Sequence, residues 1–232
     1  MSVYLICKNP VAGLTRLDFP YTPQIDYSQD VKHDIYNLVH TNYQPYAYSH
    51  SENPTISLSC KFSTHTQSQF AATERALRFL RTYTKMNYGR KDLLRGLPPR
   101  ILNFTAYGAT VFNDVPVYIS KFNMVFPEDV DYVTGTFDSN GNLTTNRIKD
   151  NGSGSQVRDN SVPSTAVQNQ DTTGATTGTG TTVNNKQSYT ISLPILFTIN
   201  ISLIVQQNLH KTVNEFSLDK FATGELMTKG YV

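Results

Sequence analysis

The stretch ISLPILFTINISLIV, residues 191–205, is apolar at every odd position from Ile191 to Val205, and Ser192, Thr198, Asn200 and Ser202 mark the even ones. A period of two means a β-strand with one buried face and one wet face. As one strand the run would extend about 50 Å at roughly 3.3 Å per residue, far beyond usual strand lengths. Pro194 has no N–H to give a ladder, so the strand either begins at a sheet edge there or bends, and the run is then two strands across a kink.

Working outward, residues 55–63 alternate in the same way, with Ile56, Leu58, Cys60 and Phe62 inward and Thr55, Ser57, Ser59, Lys61 and Ser63 outward. Cys60 reads as a small core residue. Residues 100–126 read as Ile101 to Tyr107, then Thr110 to Phe112, an Asn113-Asp114 turn, and a strand from Val115 to Phe126. In that last strand the apolar phase moves from Val115, Val117 and Ile119 to Phe122, Met124 and Phe126. A β-bulge near Ser120 and Lys121 accounts for the slip, because one extra residue moves every later side chain to the other face.

A single convincing helix spans about Thr66 to Met86, with Phe70, Ala76, Leu77, Phe79, Leu80 and Tyr83 on a broad apolar face. Thr64 with Gln67 offers a capping box and Gly89 a C-terminal stop. The tail, Asn208 to Val232, adds a short helix and an irregular strand. The expected fold is mainly β with one flanking α-helix.

The 232 residues, 38% apolar and 16% charged, suffice for one substantial core. Net charge is +2, from 20 Lys and Arg against 18 Asp and Glu, which removes any overall electrostatic case for nucleic acid or an anionic membrane. Cys7 and Cys60 form no pair motif, so neither a disulfide framework nor a zinc site follows, and a reducing compartment fits. MSVYLICKNP is too short a hydrophobic start for a signal peptide, and no window reaches the roughly 18 apolar residues of a membrane span. The chain is expected to be soluble and not exported.

Two regions differ in kind. Residues 135–187 hold an Asn140-Gly141 hairpin signal and then Asp171 to Asn185, where seven of fifteen residues are Thr and three are Gly. This Thr/Gly/Asn-rich insertion has almost nothing to bury and needs neighbouring chains to order it. Residues 1–53 lack a clean period and are rich in Tyr and Pro, including Tyr36, Tyr43, Tyr46 and Tyr48. They read as an extended arm, lying either on a partner or over the chain's own core, ahead of a β-domain over residues 54–232.

Signatures of catalysis are missing. The histidines His33, His40, His50, His65 and His210 show no metal-ligand spacing, and there is no GxSxG, Walker or GxGxxG motif. Asp138-Ser-Asn140-Gly-Asn142 opens like a calcium loop, but Leu143 and Lys149 occupy the sixth and twelfth positions, so it reads as a turn. Glu128, Asp129 and Asp131 form the densest acidic cluster. Paired carboxylates there can serve as acid and base or bind a cation, although a solvated loop or a salt-bridge partner for a neighbouring subunit is the simpler reading. Arg75, Arg78, Arg81, Lys85, Arg90, Lys91, Arg95 and Arg100 crowd into 26 positions, opposed only by Glu74 and Asp92. Arg75, Arg78 and Arg81 recur every three residues and are expected to form a stripe for a protein interface, ahead of nucleic acid. No enzymatic activity, cofactor or metal is expected.

The order of features, NPTISLS, the helix QFAATERALRFLRTY, a Pro-Pro boundary, then FNDVPVYISKFNMVFPEDVDYV and the closing SLIVQQN with EFSLDKFATGEL, resembles the tail-tube family of contractile and long-tailed bacteriophages and the related tube-initiating proteins of the baseplate. The resemblance covers roughly residues 54–134 and 187–207. It implies a tail-tube-like β-sandwich or barrel with long extended strands, six copies in a ring, and a β-barrel around a DNA channel. It also implies tail-tube and baseplate hub proteins, and the sheath, as neighbours, in a virion assembled in the host bacterial cytoplasm. Ser192, Thr198, Asn200 and Ser202 are then candidates to face the lumen, where DNA passes without specific binding. Arg75, Arg78, Arg81, Tyr43, Tyr46 and Tyr48 are candidate interface residues.

The N-terminal arm and the insertion exceed a minimal tube subunit, which favours a junction or initiator over the major tube protein. A long strand also leaves its edge unpaired in a monomer, a hazard that ring closure removes. Two other readings stand beside this one: a virion β-sandwich that binds receptor or carbohydrate through a tyrosine platform, and a glycan hydrolase built on Glu128 and Asp131.

Overall fold

A computed structural model describes residues 2–90, 93–108, 110–138, 143–149 and 189–232. The Asn140-Gly141 turn, the Thr/Gly-rich tract, Lys91 and Asp92 lie outside the described residues. In chain order the elements are β1 (Tyr4–Ile6), β2 (Arg16–Asp18), β3 (Gln24–Ser28), β4 (Val31–Ile35), β5 (Tyr46–Ser51), β6 (Thr55–Ser63), α1 (Gln67–Tyr83) and β7 (Leu102–Ala106). There follow β8 (Phe112–Val125), β9 (Tyr132–Phe137), β10 (Leu143–Lys149), β11 (Tyr189–Pro194), β12 (Leu196–Val205), α2 (Leu209–Glu215), α3 (Leu218–Ala222) and a 3-10 turn (Met227–Lys229). The protein is mainly β. A seven-stranded sheet runs β2-β1-β7-β8-β12-β6-β3, a smaller sheet β10-β9-β11, and β4 pairs only with β5.

The alternating run 191–205 is two strands across a kink. β11 belongs to the smaller sheet and β12 to the larger, with Ile195 between them. The facing segment bends at the same level, because β8 pairs with β12 and β9 with β11, all antiparallel. One bent pair of strands therefore passes through both sheets. Its odd positions point inward throughout: Leu193, Phe197, Ile199, Ile201, Leu203 and Val205 are all buried. β12 lies opposite Cys60, Leu58 and Ile56 of β6 at Ile199, Ile201 and Leu203. This long strand is paired on both sides, so it is not the open edge that ring closure would have to satisfy. Among the described residues the free edges are β2 and β3 in the larger sheet and β10 and β11 in the smaller.

The phase slip in β8 is the expected bulge. Ser202 pairs with Lys121 and Leu203 with Ile119, which leaves Ser120 as the extra residue, its hydroxyl donating to Ser202 O at 3.0 Å. Asn113-Asp114, in contrast, does not turn the chain. It lies inside β8 at a second irregularity, where Asp114 takes φ 52°. The chain leaves β7 through Tyr107 and Gly108, which have φ 56° and 95°.

The helix α1 buries the expected face, Phe70, Ala76, Leu77, Phe79, Leu80 and Tyr83. Its capping box is Thr66 with Gln69, and not Thr64 with Gln67. It ends at Thr84, whose hydroxyl bonds back to Leu80 O and Arg81 O at 3.1 Å each, so Gly89 plays no part in the stop. At its start Phe70 stacks on Phe137 of β9 at 5.8 Å, and Phe137 on Tyr189 of β11 at 5.5 Å. Gly135 lies beneath the Phe70 ring, where a Cβ would overlap that ring and the Leu143 side chain.

Residues 1–53 do not form a single arm. β1 sits between β2 and β7, and β3 pairs with β6 at the opposite edge. Leu5 and Leu17 are buried there, but three-residue strands are too short to show a period. What does project is the β4–β5 hairpin. The tail forms α2, α3 and the 3-10 turn without the expected strand, held down by buried Leu226 and Tyr231.

Because Gly135 leaves no room for a side chain, Gly135→Ala is expected to destabilise the fold by about 1–3 kcal/mol through overpacking. The urea unfolding midpoint measures this; an unchanged midpoint would show that β9 can move away from Phe70.

Candidate assembly surfaces

The wet face of the larger sheet is a field of small polar groups. Across its centre Asn200 lies between Ser59 and Asn123, Ser202 between Ser57 and Lys121, and Thr198 between Lys61 and the exposed Val125. Helix α1 covers the other face, while on this one Asn200, Ser59, Asn123, Lys61 and Lys121 are exposed. Thr198, Asn200 and Ser202 thus share one surface. Ser192 lies across the kink on the exposed side of the smaller sheet, its hydroxyl 2.9 Å from that of Thr134.

The arginine stripe is not a free surface. Arg75 donates to Gly13 O at 3.3 Å, and Arg78 pairs with Glu74 at 2.5 Å. Glu74 is almost wholly buried at 3% exposure and also accepts from the Tyr189 hydroxyl at 3.4 Å. Arg81 is exposed and has no ion pair among the described residues. Arg75 therefore ties α1 to the loop before β2, while the Arg78–Glu74 pair lies within the helix and neutralises a buried carboxylate; spacing cannot distinguish either role from an interface. Tyr189 has its pKa raised, first by burial and then by the Glu74 charge.

The tyrosines behave differently. Tyr43, Tyr46 and Tyr48 are 88%, 64% and 64% exposed on the projecting hairpin, and Tyr46 and Tyr48, two apart on β5, share a face. His33 meets Tyr48 edge-on at 6.2 Å.

Glu128, Asp129 and Asp131 occupy the exposed connection from β8 to β9. The Tyr132 hydroxyl donates to Pro127 O at 3.0 Å and Ile195 N–H to Asp131 O at 2.9 Å, so the loop is pinned at both ends. Among the described residues no three His, Cys, Asp or Glu side chains converge on a metal position, and no helix is long and apolar enough to cross a membrane. Cys7 and Cys60 are free and buried. Burial pushes the Cys60 thiol up to about 12, and the Tyr83 hydroxyl likewise to about 12.

Sequence reading missed a groove at the other end of β8. Two adjoining cavities of about 250 and 470 Å3 share Lys8, Ile101 and Asn103. Lys211 and Lys229 line the first, Leu97, Pro98, Pro99 and Arg100 the second. Its residues come from six separate stretches of chain, so no local pattern announces it.

No protein-family model matches this chain, and no curated protein matches it.

Arg78→Ala would leave Glu74 buried without its cation, at a cost of about 1–3 kcal/mol, while Arg81→Ala stays within about 0.5 kcal/mol. Equal midpoints for the two variants in urea would deny Arg78 its structural role. Stability should also fall at alkaline pH. The folded state holds the Cys60 and Tyr83 protons more tightly than the unfolded chain, so their contribution is complete below the ordinary values of 9.0 and 10.0 and is lost as pH rises towards about 12. In Cys60→Ala the decline should begin nearer the tyrosine value, as unfolding midpoints along a pH series would show.

Proposed function

We propose that this protein is a non-enzymatic structural subunit of a bacteriophage tail, a ring-forming β-protein that joins or initiates the tail tube at the baseplate and lines the channel for DNA. The observation that carries the reading is the two-faced sheet. One side is sealed by α1 and the apolar core. The other presents Ser57, Ser59, Asn123, Asn200 and Ser202, with Lys61 and Lys121 as its cations, Asp26 opposite Ser57 and the exposed Val125 opposite Thr198. DNA carries one negative charge per roughly 1.7 Å of axis, so a wall rich in cations would hold it and a wall of hydroxyls and amides lets it pass. Thr198, Asn200 and Ser202 belong to that wall, and Ser192 extends it past the kink.

The sequence resemblance is what brings in six copies, tube and hub neighbours, the sheath, and a virion assembled in the bacterial cytoplasm. An exposed two-stranded hairpin is marginally stable by itself, which suits a subunit completed by neighbours, and this extra element favours the junction or initiator over the major tube protein. The same hairpin supports a second reading, a receptor- or carbohydrate-binding platform of Tyr43, Tyr46 and Tyr48.

Light scattering and negative-stain images of the purified full chain are expected to show closed rings or stacked tubes. A monomer at every concentration would overturn ring formation by the chain alone and turn attention to glycan binding by the tyrosines. Replacing Asn200 and Ser202 with Lys (N200K, S202K) should leave rings intact but give them salt-sensitive DNA retention in a filter assay. Equal retention by both proteins would remove this face from the channel.

A further inference from the structure

The groove and the acidic loop are complementary, and they lie at opposite ends of one strand. Four cations line the two cavities, Lys8, Arg100, Lys211 and Lys229, against the one carboxylate Asp114. Lys8 is spent on Asp114 at 2.8 Å, and Lys229 approaches Glu225 only at 3.9 Å. Lys211 is oriented by Lys229 O at 3.1 Å and lies 5.4 Å from the centre of the Tyr231 ring, with no carboxylate among the described residues. The floor beside these charges is apolar, with Leu97 and Ile101 47% and 52% exposed. Free duplex would set phosphates against Asp114 and this apolar floor, so the lining suits a short peptide segment that is acidic and partly apolar.

The chain itself contains such a segment. Glu128, Asp129 and Asp131 form no ion pair among the described residues, and Val125 and Phe126 beside them are 51% and 44% exposed. The loop is already held in shape by the Tyr132 and Ile195 hydrogen bonds, so docking costs it little order. A chain cannot fill its own groove: Pro116 lines the groove near the start of β8 and Glu128 follows its end, about 40 Å away at roughly 3.3 Å per residue.

We infer that the loop 127–131 of one copy docks in the groove formed by Lys8, Arg100, Lys211 and Lys229 of the next. The contact is heterologous, head to tail along the strand direction, and so propagates from copy to copy. Its biological setting rests on the assembly reading above: it links copies end to end and is separate from lateral closure of a ring.

The test is a charge swap in the full chain, read by sedimentation velocity at low salt. One variant carries E128K, D129K and D131K; the other carries K211E and K229E. Each alone should lose end-to-end association on the order of tenfold or more, and an equimolar mixture should regain it, because each reversed surface then meets its complement. Circular dichroism establishes that both variants fold. Association untouched in the single variants, or lost and not restored on mixing, overturns the contact, as does a wild-type chain that stays monomeric at low salt. Closed rings in negative stain whose stacking ignores the reversals would sink this contact and spare the ring reading. Rescue by mixing without closed rings would do the opposite.

Discussion

The bend at Pro194 governs the rest of the structure. A proline in a long paired strand removes a ladder donor, and the carbonyls on either side need partners of their own. Thr64 supplies two of them: its hydroxyl donates to Pro194 O at 2.8 Å and its backbone N–H to Ile195 O at 2.9 Å. Ile195 N–H in turn donates to Asp131 O at 2.9 Å. Each of these groups left buried and unpaired would cost about 1–3 kcal/mol, so the bend is fixed from both flanking segments. Once it is fixed, the smaller sheet drops onto the start of α1 and Phe137 is placed between Phe70 and Tyr189.

The same residue explains why local reading chose the wrong cap. Thr64-His-Thr66-Gln-Ser-Gln69 contains two overlapping capping boxes, and each satisfies the local rule equally well. Thr64 is buried and committed to the bend, which leaves Thr66 as the only one free to accept from Gln69 N–H. A tertiary hydrogen bond decides a question that sequence spacing leaves open.

Other parts of the fold were legible to the extent that their cause was local. Alternation over residues 191–205 and 55–63, the helix face and the Ser120 bulge all follow from side chains along one element, and all are present. Asn113-Asp114 shows the limit: Asp114 does take the positive φ of a turn residue, yet it serves a bulge within β8. β1 and β2 escaped notice because one buried leucine in each three-residue strand carries no period. The arginines were judged by spacing, whereas their roles depend on Gly13 and Glu74. The groove was invisible for the same reason on a larger scale, since its lysines are brought together only by the tail folding back.

The distribution of edges bears on how copies can meet. β2 presents an Arg16–Asp18 ion pair, with Arg16 also 4.0 Å over the Tyr4 ring, and β3 carries exposed Asp26. Charged, short edge strands discourage backbone pairing with another chain. The larger sheet is therefore blunted at both sides, whereas among the described residues the β11 edge of the smaller sheet bears the uncharged Thr190 and Ser192 and is the better suited to pairing. Contacts along the strand direction fall to side chains at the strand ends, where charge is concentrated in groove and loop. On the assembly we propose, neutral backbone edges would serve closure and charged strand ends succession, which leaves the hydroxyl-lined face between them uncommitted to either.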